Sequence, residues 1–402
     1  MTQTQETPAF PMSRQCPYDP PPAYGQLRET EPISRVRNWD GQEVWFVTRY
    51  ADARAVLADR RFSADSRLSG YPSVSVASSI SRQHFRSFIN MDDPEHSRLR
   101  RMLISSFTMR QMEALRAPIQ SIVDGLIDDM LANGSSADLV RDFALPLPSL
   151  VICQLLGVPY QDHDRFQGWS RRLISSATTK EEALQATQEL GAYLTELVDA
   201  KDREPADDLI SRLVVQQLRA GTLTRQEIVG MARLLLVAGH ETTANMIGLG
   251  TAALLQNPDQ LALLRTDPNP ALVKSSVEEL LRYLTITQSG RRRVATEDVT
   301  VAGQLIRAGE GVIVAGDAAN RDPDAFADPD ALDLARSARQ HVAFGYGIHQ
   351  CLGQPLARVE LQVVYGTLYR RIPTMKLAIP PERIRFKHDM IVYGVHELPV
   401  SW

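Results

Sequence analysis

Two short stretches carry residue types that do chemistry when they are buried. The first, "GYGIHQCLGQPLARVEL", sets Cys351 between a glycine-broken turn and an amphipathic helix whose inner face carries Leu356, Val359 and Val363. Unpaired N–H groups at a helix start, with the positive end of the macrodipole, favour thiolate over thiol. Gly345, Gly347 and Gly353 let the backbone lie close to a large flat group. The second stretch, Gly239-His240-Glu241-Thr242-Thr243, interrupts the otherwise apolar run "MARLLLVAGHETTANMIGLGTAALL". A helix that is apolar on nearly every face is buried on all sides, and a carboxylate there is costly unless it is paired or hydrated.

Zinc does not explain these residues. "HETTA" begins like the H-E-x-x-H pattern, but Ala244 stands where the second histidine would be, so no pair of imidazoles shares a helical face. Two readings of Glu241 remain. It forms a satisfied salt bridge with an arginine elsewhere, or Glu241 and Thr242 are an acid and alcohol pair that handles protons beside a cofactor, on a helix whose backbone opens at Gly239. Cys351 supplies the cofactor for the second reading. One thiolate, without a second cysteine or a ligand-spaced histidine, fits an axial bond to haem iron better than zinc or an iron–sulfur cluster. Cys16 and Cys153 read as packing residues. Three cysteines far apart, with no CxxC pair, argue against disulfides and structural zinc.

Positioning these groups takes a mostly helical chain. Thr224 and Glu227 have capping-box spacing and Asn257-Pro258 supplies a stop, which predicts one helix over 225–256, about 48 Å long. Further helices are expected at "PEHSRLRRMLISSF", "MRQMEALRAPIQSIVDGLIDDMLAN", "LPSLVICQLLG", "DHDRFQGWSRRLISSA", "KEEALQATQELGAYLTELVDAKDRE" and "DDLISRLVVQQLRAG". Strands are expected at "GQEVWFVTRY" and within "RRVATEDVTVAGQLIRAGEGVIVAG". The Ser- and Gly-containing segment "GYPSVSVASSISRQHFRSFIN" reads as a mobile lid.

Composition narrows the classes of partner. With 402 residues and 44% hydrophobic content the chain holds ample material for a large core, and no linker or low-complexity segment divides it after the Pro-rich start. A net charge of -4 offers no global field for nucleic acid or anionic lipid. The N-terminus has neither the basic region nor the apolar run of a secretory signal, and no stretch reaches membrane-span length. A cytoplasmic, monomeric protein with no nucleic-acid or membrane partner is the expectation.

"FGYGIHQCLG" resembles the haem-binding signature of the cytochrome P450 monooxygenases, F-G-x-G-x-H-x-C-x-G, through Phe344, Gly345, Gly347, His349, Cys351 and Gly353. Two further motifs follow the family's pattern: E-x-x-R at Glu279 and Arg282, with Arg336 in the place of the third member of that ion network, and A-G-x-E-T-T from Ala238 to Thr243. The resemblance covers nearly the whole chain and is closest to soluble actinomycete-type members. It implies a mainly α fold with a small β-rich region, a triangular helical prism around a buried haem b. Residues 1–402 would form one haem-thiolate domain, helix-rich near 85–285 and β-rich near 30–60 and 286–320.

Carried over by position, the resemblance implies that Cys351 is the proximal thiolate and metal ligand, framed by Gly345 and Gly353 and shielded by Phe344. Ala238 and Gly239 would lie beside the haem on its other side. His96, Arg100, Arg293 and His349 would hold the propionates, and Glu241 and Thr242 would deliver protons for the activation of O2. Glu279, Arg282 and Arg336 would be structural. Arg292 reads as part of a solvated basic turn. Arg291 stands where an apolar residue is commoner in this group, so it either faces the pocket or points outwards. "GYGIHQ" is not a G-x-G-x-x-G fingerprint, since Gln350 holds the last place. Electrons are therefore expected from NAD(P)H through a ferredoxin reductase and a ferredoxin, with Arg101 and Arg358 as docking candidates. Phe85, Ile89, Ile174, Val237, Ile286 and Ile391 are expected to line a pocket for a largely apolar small molecule such as a natural product, macrolide, terpenoid or sterol-like compound, or drug. A peroxide-using haem-thiolate enzyme and a non-catalytic haem protein that binds a ligand are the alternatives.

Overall fold

The structure is a computed structural model that describes residues 7–84, 86–266 and 269–402. The strand expected around Val44–Val47 forms in register with its neighbours because its β-branched and aromatic residues pack a half-buried face. Strand β1 (Ile33–Arg37) pairs antiparallel with β2 (Glu43–Val47), and β3 (Phe62–Ser63) lies at the far edge. The late β-rich patch returns to complete the sheet with β4 (Arg291–Ala295) and β5 (Gly311–Val314), in the order β1-β2-β5-β4-β3. Among these strand pairings, only that of β2 with β5 is parallel.

Pairing of Arg291 with Val314 and Arg293 with Val312 fixes the register of β4, and strand alternation then decides where its arginines go. Arg291 and Arg293 share one face. Arg292 is on the other and is 4% exposed, with its guanidinium 5.7 Å from the Phe10 ring. The solvated turn expected for Arg292 is thus wrong: the sheet folds this residue inward, and burial pushes its pKa down to about 10.

Six helices matter for the site: α1 (Glu95–Ile104), α2 (Pro146–Leu156), α3 (Lys180–Arg203), α4 (Arg225–Leu255), α5 (Pro270–Leu284) and α6 (Gln354–Arg371). The capping box of α4 forms as its sequence predicts: Glu227 N–H donates to Thr224 Oγ1 at 3.2 Å, and Thr224 N–H to Glu227 Oε2 at 2.7 Å. α4 crosses α2, α3 and α6 and is buried along most of its length. It does not open at Gly239. The helix runs unbroken, and Thr242 Oγ1 and Asn245 Nδ2 donate to the carbonyls of Ala238 and Glu241 at 2.8 and 2.7 Å. Gly239 serves the crossing instead, because a Cβ there would stand 2.8 Å from Ile152 of α2.

Part of the segment expected to act as a lid is helical. Residues Val76–His84 form a helix whose Ala77 and Ile80 pack on Ala183 of α3, since those two apolar positions have the spacing of one helical face. Among the described residues, no helix is long and apolar enough to cross a membrane.

Candidate active site

α6 begins at Gly353, with Pro355 in its first turn, and its Leu356, Val359 and Val363 face are all buried as their spacing predicts. The loop before it is shaped by Gly345 and Gly347, at φ 75° and 74°. A Cβ on Gly347 would meet the Leu57 carbonyl oxygen at 2.5 Å, so only glycine fits both the left-handed backbone and the space. Cys351 N–H donates to Phe344 O at 2.9 Å, and Arg100 donates to Gln350 O at 2.6 Å. These bonds present Cys351 to a cavity of about 440 Å³ enclosed by α4, α6, β4 and the cysteine loop.

Cys351 has free surface and lines the cavity, while the protein packed around its sulfur is dense. Burial pushes its thiol pKa up; the N–H groups of Gly353 and Gln354, with Arg291 and Arg100, pull the other way without reversing it. The helix start alone therefore does not make the thiolate, as the sequence suggested. A bound cation would, because a coordinating thiol loses its proton outright.

At the cavity rim, buried ring nitrogens lack hydrogen-bond partners. His96 is 2% exposed and His349 stands 4.2 Å away ring to ring; both ring nitrogens of His96 and Nδ1 of His349 are buried without a hydrogen-bond partner. Burial, then Arg293, pushes His349 down to about 3, and burial, then Arg100, lowers His96, so both rings are neutral at pH 7. Arg293 donates to the carbonyl of Arg292 at 2.7 Å. A Cβ on Gly353 would extend towards the thiol, 4.0 Å from Sγ. Orphaned ring nitrogens at the rim, open space beside the sulfur and a single thiol fit a flat metal complex with two carboxylates, which is haem.

The opposite wall is one face of α4, formed by Leu234, Leu235, Ala238, Gly239, Thr242, Thr243 and Met246. Glu241 lies off that face. It is 6% exposed, with Oε1 3.7 Å from His240 Nε2, and its field supports the charge of half-buried Lys387. The acid and the alcohol are adjacent in sequence but point to different surroundings, since consecutive helical residues diverge by about 100°.

Ile89 and Ile286 line the cavity as expected. Ile174, Val237 and Ile391 do not. Val237 is on the α4 side that turns away, and Ile391 N–H donates to Ile174 O at 2.8 Å in a backbone pair behind the cavity wall. Phe85 lies outside the described residues. Tyr71 and Phe88, from the segment expected to cover the pocket, line it too, and Met246 is a lining residue that sequence reasoning missed. So is Glu360, whose carboxyl is pushed up to about 8 by burial and accepts from Thr243 Oγ1 at 3.2 Å. A lone acid between Val359 and Leu361 on an inward helix face was the available signal.

Arg358 is not a free docking cation. It makes a two-pronged bond to Glu278 at 2.6 and 3.0 Å and lies over the Phe344 ring. Arg101 is exposed. Glu279, Arg282 and Arg336 do come together: Glu279 accepts from Arg282 at 2.7 and 2.8 Å and from Arg336 Nε at 3.1 Å, and Arg282 also donates to the carbonyls of Asn320, Pro329 and Ala331.

A sequence model of the Cytochrome P450 family matches residues 172–372. The chain is 54% identical to Cytochrome P450-SU2 of Streptomyces griseolus over 96% of its own length and 94% of the relative's. It is 53% identical to the pentalenic acid synthase of Streptomyces avermitilis, over 98% and 97%. The mycinamicin VIII C21 methyl hydroxylase MycCI of Micromonospora griseorubida, solved with mycinamicin VIII bound, superposes with a TM-score of 0.93 at 41% identity, over 98% of this chain and 100% of that one. The chain belongs to the cytochrome P450 family and is a haem-dependent monooxygenase of it.

Proposed function

We propose that the whole chain works as one haem-thiolate domain in the cytoplasm, as a monomer, and inserts an oxygen atom from O2 into a natural-product-like small molecule with electrons from NAD(P)H through a ferredoxin reductase and a ferredoxin. The observation that carries this reading is the enclosed Cys351 thiol facing the Thr242 wall across a cavity rimmed by unpartnered ring nitrogens. The relatives' names support the substrate class, a pentalenic acid synthase and a mycinamicin hydroxylase being among them. When bound, the haem iron supplies the oxidising power, and electron donation from the thiolate favours O–O cleavage.

The chain's own residues do the rest. His96, Arg100, Arg293 and His349 hold the propionates by charge-assisted and neutral hydrogen bonds. Phe344, which lines the cavity beside Cys351, keeps water from the sulfur. Thr242 already gives its hydroxyl hydrogen to Ala238 O, which leaves its oxygen lone pairs free to accept from a water in the cavity. Glu241 resupplies protons from the His240 and Lys387 side, behind that wall. Holding both groups favours O2 over peroxide as the oxidant, because only O2 activation needs protons delivered on both steps.

The test is the absorption spectrum of the reduced protein under carbon monoxide, wild type against Cys351→Ser. The red-shifted Soret band of a thiolate ligand is expected in the first and absent in the second. A protein without haem, or a mutant with the same spectrum, overturns the reading.

A further inference from the structure

Besides Arg100 and Arg293, which the cofactor uses, the cavity lining includes Arg291 and Arg292, and of these two Arg292 turns its side chain to the other face of β4. Arg291 shares the inward face of β4 with Arg293 and lines the cavity with it. Its guanidinium donates to Thr287 Oγ1 at 3.3 Å and to Ala343 O at 2.5 Å, both neutral acceptors. The β4 register sets its side, and its guanidinium lies against Gly345, where a Cβ would stand 2.7 Å from Nε. Desolvation lowers its pKa, and the charged groups that face it are Cys351 and Arg293, with no carboxylate among them. Among the described residues the one acid that lines the cavity is Glu360, whose carboxyl burial pushes up to about 8.

Charge can then be counted, on the haem-thiolate reading given above. A ferric porphyrin with a thiolate ligand has no net charge. Its two propionates are matched by Arg100 and Arg293, with the rings of His96 and His349 as further hydrogen-bond partners. Arg291 remains as a single enclosed positive charge without a counterion, a state that is costly in a low-dielectric site. Its neighbours Ile286, Thr287 and Gly290 belong to the wall on which a substrate would lie.

We propose that Arg291 is a specificity-determining residue that selects a substrate carrying one carboxylate on an otherwise apolar body. A single surplus charge calls for a monoanion, and the planar guanidinium fork matches a carboxylate two-prong. Phosphate esters would reverse the imbalance instead of removing it.

The test uses a probe that needs no knowledge of the natural scaffold. Imidazol-1-yl alkanoic acids of rising chain length, and their methyl esters, are titrated into the haem-loaded protein and followed by the Soret shift of imidazole on iron. At one span of chain length the acid is expected to bind at least about tenfold tighter than its ester, the effect of one charge-assisted pair. Arg291→Leu should erase that difference and Arg291→Lys keep part of it. Equal binding of acid and ester at every length in the wild type overturns the proposal. So does a preference that survives in Arg291→Leu. Lowered haem retention in Arg291→Leu combined with acid and ester parity in the wild type would place Arg291 on a propionate, and also overturns it. If Arg291→Leu takes up no haem, the wild-type ratio and Arg291→Lys decide the matter. The absence of any imidazole shift is a separate result, which removes the haem reading itself.

Discussion

The ion cluster at Glu279 and the cation set around Cys351 use the same residue types at comparable depth and end in opposite conditions. In the first, every charged atom has a partner within the chain: Glu279 takes two bonds from Arg282, one from Arg336 and one from the Asp333 N–H, and Arg282 spends its remaining hydrogens on three carbonyls. In the second, ring nitrogens of His96 and His349 have no partner and Arg291 bonds only neutral oxygens. Complete satisfaction marks a part that holds the fold in shape. Incomplete satisfaction at the same depth marks a place made for another molecule, since orphaned buried donors are otherwise rare.

The contrast can be broken most directly at Arg282. Arg282→Leu takes two of the four bonds from the buried Glu279 carboxylate and the donor from three carbonyls, at a cost of about 3–5 kcal/mol, a large share of a domain's total stability. Loss of soluble folded protein is expected, and a variant that melts like the wild type would show that the cluster is dispensable. Glu241 tests an intermediate case, buried with partners yet next to the cavity wall. Glu241→Gln should leave the melting temperature near the wild type but lower O2-dependent turnover by on the order of a hundredfold, read as substrate oxidised per NADH consumed. Unchanged coupling would assign Glu241 to the structural set.

On the open side, Arg293→Leu should keep the haem-free fold while weakening haem binding by about tenfold to a hundredfold, measured by haem transfer to apomyoglobin. Unfolding instead of haem loss would place Arg293 with Arg282. The smallest effect concerns Glu360, whose carboxyl is raised from 4.5 to about 8 by burial. Between these values the folded state keeps a proton that the unfolded chain has released, so this group makes stability fall as pH rises through that window. Glu360→Gln should remove the slope and raise stability at pH 7, checked by urea denaturation at pH 5 and pH 8. Parallel curves for the two proteins would contradict the assignment.

Much of the site was legible because its signals are local. The capping box at Thr224, the inner face of α6 and the glycine frame before Cys351 all express rules that act over a few residues, and each is present in the structure. Three pocket residues went astray for the opposite reason. Ile174, Val237 and Ile391 are apolar and near lining segments, but which side of a wall they occupy depends on helix rotation and on a backbone pair between segments 217 positions apart in sequence. Arg292 was misplaced because a run of three arginines looks solvated until a strand puts alternate members on opposite faces. The lid segment became a helix because α3 offered Ala183 as a surface to pack against.

By itself the sequence determined the chemistry that can occur here: one thiol in a glycine frame, one acid and alcohol pair in a buried helix, and the arginines and histidines that suit carboxylates. Residue type and near spacing are covalent facts and do not depend on packing. Only the tertiary structure decided where the charges face. It placed Glu241 behind the wall and Thr242 on it, closed Arg358 onto Glu278, and turned Arg291 into the cavity without a counterion. Those outcomes depend on strand register, helix rotation and the partners that distant segments bring, because an enclosed charge takes its meaning from what lies within a few ångströms of it.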